Sequence, residues 1–391
     1  MNVLKTRLEH LIKMKTSKKK YIIVIGIICA AAALGFAFWP GHMASTDEIE
    51  DIDELEKMAP VGPDFNADSA FAFTQAQCDF GPRAMNTDGH EKCLDWIVAK
   101  FKQYGCKVEL QKADLKGYDG TILKATNIIA SYNPDATTRI MFCAHWDSRP
   151  WADNDPDTAN WRKPILAAND AASGVAVMLE LARLLSQQQT TGNNRQSATD
   201  KQQATGNRQQ RTTYKQQSIT DNQQLSPDLG IDFVCFDAED WGVPQWADVQ
   251  DDGNSWALGS NYFASNLPQG YAPRYGILLD MVGGQGARFH QEGLSKQYAP
   301  DIVKKVWRAA RQAGYGSYFP KAEGGMVTDD HVPLNQIAKI PCIDVIPYYP
   351  DCIQSSFGPT WHTLDDNMDH IDKNTLKAVG QTMIQVIYTE K

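Results

Sequence analysis

Apolar residues in the middle and C-terminal parts of the chain come in short solid runs, and most of these runs end in a polar cluster. RIMFCA (139–144), GIDFVCF (230–236) and YGILL (275–279) have the length of buried strands, and a fourth run covers 340–346. Other segments carry a helical period. DGHEKCLDWIVAKFKQYG (88–105) has apolar residues at 94, 97, 98 and 101, with Gly105 as its stop signal. AASGVAVMLELARLL (171–185) reads as a mostly apolar helix that begins beside Asp170, and further helices are expected near 298–313 and 374–389. KVELQKA (107–113) alternates as a strand. Strands alternating with helices imply a largely parallel sheet covered on both faces. The expected fold is α/β: a three-layer αβα sandwich with a mixed, mostly parallel central sheet, in one domain over 67–391.

Two segments break this pattern. Residues 186–226 are dominated by Gln, Thr, Asn and Ser with almost no large apolar residue, so burial cannot offset their ordering entropy. They read as a disordered Gln-rich insertion between a helix and the next strand. At the other end, residues 21–39 (YIIVIGIICAAAALGFAFW) are uncharged and reach about 28 Å as a helix, close to a bilayer core. Lys18-Lys19-Lys20 directly before them predicts a cytoplasmic stretch over 1–20, a transmembrane anchor over 21–39 and an exported body. A signal peptide cut after Ala44 is the alternative, and the length of the span favours the anchor. Residues 40–66 are acidic and punctuated by Pro and Gly, as a tether would be. The expected location is therefore the inner membrane, single-pass, with the catalytic domain on the periplasmic side.

Charge narrows the partners. The formal net charge is −9, yet residues 1–20 hold seven Lys/Arg against Glu9, which leaves the remainder near −15. An acidic body argues against nucleic acid. No GxGxxG or GxxxxGK[ST] loop occurs, so nucleotide binding has no support either. Of eight cysteines none forms a CxxC pair. Cys143 and Cys235 lie in strand-like runs and read as core residues, while Cys342 and Cys352 are a candidate pair across a loop.

The chemistry is concentrated at the ends of the apolar runs: His145-Trp146-Asp147, Asn169-Asp170, Glu239-Asp240, Asp280 and Trp361-His362. Strand ends of a doubly wound sheet border a crevice where ligands bind. Asp170, Asp240 and His362 are a plausible donor set for zinc, which takes imidazole and carboxylate ligands and keeps a position open in catalytic sites. Glu239 beside Asp240 is then free to act as a general base, and Asp147 is placed to orient His145. Each has a plainer alternative. Asp170 before a helix fits an N-cap, Glu239-Asp240 a solvated loop pair, Asp280 a strand terminus, and Asp329-Asp330-His331 a capping turn before Pro333.

The ordered set AHWD, NDAASG, DAEDWG, LLDMVG, TDDHVPL and WHTLDDN resembles the zinc-dependent aminopeptidase superfamily, from about Phe71 to the C-terminus outside the Gln-rich insertion. HWDSRPWAD, Trp361-His362 and Asp329-Asp330-His331 make the chain similar to the glutaminyl cyclases within it, especially membrane-anchored bacterial forms. The resemblance implies a zinc-aminopeptidase-like fold and zinc held by Asp170, Asp240 and His362. It implies Glu239 as acid/base, with Asp280 and Asp329 as a carboxylate network beside it. The substrate pocket would be lined by Trp361, Trp246 and His145. The implied substrates are peptides or proteins with N-terminal glutamine, cyclised to pyroglutamate with release of ammonia. Two departures from animal cyclases stand out. Asp240 replaces a Glu, and Ala144 replaces a disulfide-bonded Cys, so that bridge should be absent. A two-zinc aminopeptidase remains the rival, because His145 and Asp280 are also metal-binding residue types. A non-catalytic peptide-binding or adhesion protein is a further one.

Overall fold

A computed structural model of the protein describes residues 60–188, 225–251 and 253–391, all within a unit that runs from Met58 to Lys391. The candidate membrane span 21–39 and residues 189–224 of the Gln-rich segment lie outside the described residues. Among the described residues no helix is long and apolar enough to cross a membrane.

The elements in chain order are α1 (Ala67–Cys78), α2 (Asp88–Gln103), β1 (Lys107–Lys116), β2 (Ile122–Tyr132), β3 (Thr138–His145), α3 (174–188), β4 (Leu229–Phe236), α4 (Leu258–Ser265), β5 (Gly276–Leu279), α5 (Gly293–Tyr298), α6 (Pro300–Gln312), β6 (Cys342–Val345) and α7 (Lys373–Thr389). The six strands form one sheet in the order β1-β2-β4-β3-β5-β6. β1/β2 and β2/β4 pair antiparallel, while β4, β3, β5 and β6 run parallel. This is the expected mixed, mostly parallel sheet.

Alternation along each strand divides the core between two faces. Ile140, Phe142 and Ala144 of β3 join Ile231, Phe233 and Cys235 of β4 in the larger core, covered by α1, α2, α3, α6 and α7. Met141 and Cys143 join Val234, Phe236 and Leu278 on the opposite face, against Phe263 of α4 and Leu334. Helices on both faces give the three layers. Cys143 and Cys235 are core residues as expected, and Cys342 and Cys352 are both free.

The chain turns from β3 to β4 on one side and then to β5 on the other. β3 is therefore the switch point, where the parallel strand ends splay to leave a crevice. Close packing beneath it requires glycine. A Cβ on Gly174, at the entry to α3, would lie 2.0 Å from the Leu279 carbonyl oxygen, and one on Gly259 would lie 1.9 Å from the Asp237 carbonyl oxygen.

Several boundaries differ from the sequence expectation. α3 continues through residue 188, so the Gln-rich segment begins later than 186. Residues 60–66, expected to end the tether, include the buried Val61 and Phe65. Their backbone N–H groups donate to Gln385 and Gln381 of α7, so the tail of an acidic stretch is fastened by two glutamines. α1, β2 and α4 were not anticipated. β2 alternates only in its first half and is buried in its second, and α4 (LGSNYFAS) is short and rich in weak helix formers.

Candidate active site

Three parallel strand ends, the turn before α3 and two later loops converge on the crevice. β3 ends at His145, the turn Ala168–Ser173 before α3 carries Asp170, and the turn after β4 carries Glu239 and Asp240. Asp280 follows β5 directly, and Asp329 and His362 come from loops before β6 and before α7. All are buried. The backbone is bent sharply at these places. Ala167, Ala238, Met281 and His362 are non-glycine residues with φ between 50° and 55°. Each lies next to, or is itself, a candidate site residue, apart from Ala167, three residues from Asp170. Such backbone persists where the surroundings over-determine it, commonly at functional sites.

Two donor sets form. His145, Asp170 and Asp280 offer ligand atoms within 4.8 Å of one another, and so do Asp170, Asp240 and His362. Asp170 belongs to both: its Oδ1 lies 2.9 Å from His145 Nε2, and its Oδ2 lies 3.6 Å from His362 Nε2. Its carboxylate faces the histidines instead of capping a helix. His362 Nε2 is also 3.3 Å from Asp240 Oδ1, and His145 Nε2 is 3.4 Å from Asp280 Oδ1.

Neighbours orient these donors. Asp366 accepts from the backbone N–H groups of Asn169 and Asp170, holding the turn that presents Asp170. Asp147 lies 3.4 Å from His145 Nδ1, in its expected orienting position. Its hydrogen bonds, however, are to the backbone N–H groups of Glu239 and Asp240, each at 3.2 Å. Asp147 thus braces the Glu239–Asp240 turn as well.

Electrostatics make the site hungry for a cation. Burial pushes the Asp240 carboxyl up to about 7 and that of Asp280 up to about 6. Burial also raises Asp170, with Asp240 adding to the rise. Glu239 is raised well above the usual carboxylate range, first by burial. His362 is pulled down to about 3 by burial and the Arg149 charge, which keeps the imidazole neutral, the form that binds metal. Asp240 Oδ2 and Asp280 Oδ1 are buried with no hydrogen-bond partner. Orphaned carboxylate oxygens next to a neutral imidazole fit a divalent metal, and the N/O donor types fit zinc.

Aromatic rings gather on the His362 side of the site. Trp361 stacks on His362 with ring centroids 3.7 Å apart, and Phe357 packs on Trp361. Trp246 lies one layer out, against Trp151 and Trp161 with Arg162 over its ring. It is Trp256 whose ring lies parallel to the imidazole of His362, at 6.0 Å. Asp329 is buried beside the site, and with His145 it perturbs Asp280.

Four residues packed in or near the site had no role in the sequence reading: Trp256, Arg149, Asp153 and His90. His90 had no motif to mark it, yet it is buried, 2.8 Å from Asp237 and stacked on Trp146. Arg149 and Asp153 stood within HWDSRPWAD, and their four-residue spacing was the available signal.

A buried pair of carboxylate–imidazole sets at the switch point of such a sheet defines a metal-dependent exopeptidase-like enzyme. The comparisons with known proteins agree. The model of peptidase family M28 matches residues 127–387, and the chain belongs to that family. It is a zinc-dependent enzyme of the zinc-aminopeptidase-like fold, similar to bacterial glutaminyl cyclases. The glutaminyl cyclase of Bacteroides thetaiotaomicron, solved with bound N-acetylhistamine, is 48% identical with a TM-score of 0.72, covering 84% of this chain and 99% of that one. The Tannerella forsythia glutaminyl cyclase is 44% identical with a TM-score of 0.72, covering 84% of this chain and all of the other. The bovine glutaminyl-peptide cyclotransferase is 24% identical over 280 residues, 68% of this chain; the match spans 66% of the bovine protein's length.

Proposed function

We propose that the protein is a glutaminyl-peptide cyclotransferase that converts N-terminal glutamine of peptides and proteins to pyroglutamate and releases ammonia. The observation that carries the reading is the position of Glu239. Its carboxylate is buried in the crevice beside Asp240 and belongs to neither donor set. Likeness to glutaminyl cyclases at 44–48% identity over most of the chain supports it.

Asp170, Asp240 and His362 would hold the zinc. Zinc, when bound, supplies Lewis-acid polarisation of the glutamine γ-carbonyl. The rest falls to the chain. The substrate's α-amine attacks its own γ-carbonyl carbon, and a new C–N bond closes the five-membered ring. Glu239 takes the proton from that amine and returns one to the departing nitrogen as the C–N bond to ammonia breaks. Burial raises the Glu239 carboxyl well above its usual range, which strengthens it as a proton acceptor. Burial and the Asp329 charge raise the Asp280 carboxyl to about 6 against the pull of His145, and Asp280 and Asp329 would form the carboxylate network beside Glu239. Trp361 and Trp256 wall the His362 side and keep water, the competing nucleophile, away. Because the attack is intramolecular, holding the side chain folded supplies much of the rate. His145 would line the pocket floor through its bond to Asp170, and Trp246 would form its outer rim.

A second set, His145, Asp170 and Asp280, is what a two-metal aminopeptidase would use. One experiment separates the readings. The zinc-loaded protein is incubated with a Gln-initiated and an Ala-initiated peptide, and zinc per chain is measured alongside. Ammonia released from the first, with the second intact, supports cyclisation. Residues released from both, with two zincs per chain, would sink it. For location, we propose that residues 21–39 anchor the enzyme in the inner membrane with the catalytic body outside the cytoplasm. The hydropathy and the preceding lysines support this. Protease added to intact spheroplasts should degrade the catalytic body; full protection would refute the topology.

A further inference from the structure

We propose that Arg149 is a positioning residue of the zinc site, fixing the carboxylate of Asp240 through its Oδ1 and setting the imidazole of His362 through Asp153. The inference rests on Asp170, Asp240 and His362 being the zinc ligands.

Arg149 is 1% exposed, so its charge needs partners to be tolerated. Asp153 accepts from Nε at 2.6 Å and from Nη2 at 2.7 Å, a two-pronged pair. The remaining prong, Nη1, donates to Asp240 Oδ1 at 3.1 Å. Trp256 and Trp151 lie against the guanidinium, 4.7 and 5.4 Å from its central carbon. The two oxygens of Asp240 differ. Oδ1 is held by Arg149 and lies 3.3 Å from His362 Nε2, while Oδ2 is buried with no hydrogen-bond partner. Asp153 extends the clamp, because its Oδ1 lies 3.6 Å from His362 Nδ1, the nitrogen facing away from Asp170 and Asp240. Its Oδ2 also accepts from the Gln245 backbone N–H, which fixes the carboxylate itself.

One guanidinium–carboxylate pair therefore reaches two of the three donors in the Asp170–Asp240–His362 set. Among the described residues it makes no hydrogen bond to His145, Asp170 or Asp280. The Asp170–Asp240–His362 set is thus braced at two of its donors before metal arrives. Only a planar fork can make this arrangement. A lysine at 149 would keep the charge but lose the simultaneous grip on Asp153 and Asp240.

The test uses the full chain stripped of metal, without substrate, in wild type, Arg149→Lys and Asp153→Asn. Zinc affinity is read by competition with a chelator, and coordination by the visible spectrum after cobalt(II) replaces zinc. Both variants should bind zinc about 10- to 100-fold more weakly, the usual effect of losing an outer partner of a ligand. In Arg149→Lys the Asp240 carboxylate is released to turn about its side-chain bonds, and the cobalt bands should change in position or intensity. A residue that only fills space between two tryptophans would lower thermal stability while leaving affinity and spectrum unchanged. Zinc affinity within twofold of wild type in the folded variants, with an unaltered cobalt spectrum, overturns the proposal. If Arg149→Lys does not fold, Asp153→Asn decides by the same affinity criterion. Failure of the ligand assignment is distinguishable, because it shows as an Asp170→Asn variant that keeps its zinc. Failure of the cyclase reading shows separately, as wild type that releases no ammonia.

Discussion

Replacing Glu239 by Gln removes a base and preserves its shape. The two bonds that fix the residue are backbone bonds: its N–H donates to Asp147 Oδ1 at 3.2 Å, and its C=O accepts from Ala257 N–H at 3.1 Å. Both survive the substitution. Glu239 supplies no atom to either donor set, so zinc content should not change. What is lost is proton transfer, worth about 10²- to 10⁴-fold in rate, or roughly 3–5 kcal/mol of barrier. The expected outcome is a fall of that size in kcat for ammonia release from a Gln-initiated peptide, with KM moved only a few-fold. Stability should move the other way. Burial raises the Glu239 carboxyl; His145 opposes the rise and Asp240 and Asp329 add to it, so ionising this group at neutral pH costs the folded state. A neutral amide removes that cost, and Tm should stay level or rise. A kcat within fivefold of wild type would refute the role of base. Loss of zinc together with activity would show that Glu239 is a ligand instead.

Trp361→Ala should lower kcat/KM about tenfold, mainly through KM, since an aromatic stack of this kind contributes up to roughly 1.5 kcal/mol; steady-state kinetics check this, and an unchanged KM would argue against Trp361 as pocket wall. Glu292 is a pH-dependent stabiliser. Burial alone would raise its carboxyl, but His331 and the backbone N–H groups of Ser295 and Leu294 outweigh it and hold the group down at about 2. A depressed folded value means stability that is present above the ordinary 4.5 and lost as pH falls towards 2, about 3 kcal/mol in all. The stability gap between wild type and Glu292→Gln, measured by urea unfolding, should therefore shrink to less than half between pH 7 and pH 3; a constant gap would contradict the linkage. Gly174→Ala drives a methyl to within 2.0 Å of the Leu279 carbonyl oxygen, so β5 or α3 must shift. A loss of about 1–3 kcal/mol is expected, and a Tm equal to wild type would mean that this contact yields freely.

How much of this was legible depends on the kind of signal each residue carried. The parallel strands announced themselves as solid apolar runs because both sheet faces are covered. β2 did not, since its exposed first half alternates and its second half holds Asn and Ser among the apolar residues. Asp170, Asp240, His362, His145, Asp280 and Glu239 were legible because each sits within a motif at the end of a run. Trp256 and Trp246 were interchangeable by sequence, two tryptophans in one loop. Only the path of that loop brings Trp256 opposite His362 and sets Trp246 against Trp151 and Trp161.

By itself the sequence determined the layered α/β fold, the polar residues at the strand ends and the adjacency of Glu239 and Asp240. All of these follow from local order, the period of apolar residues and the ordered motifs. The tertiary structure alone decided which oxygens remain free. That Asp170 serves two donor sets, that Arg149 occupies one oxygen of Asp240, and that Asp147 braces the Glu239–Asp240 turn depend on groups tens to hundreds of residues apart in sequence. Their meeting is set by how the strands β4, β3 and β5 lie side by side, and distances of a few ångströms between side chains from separate strand ends leave no trace in the spacing of residues along the chain.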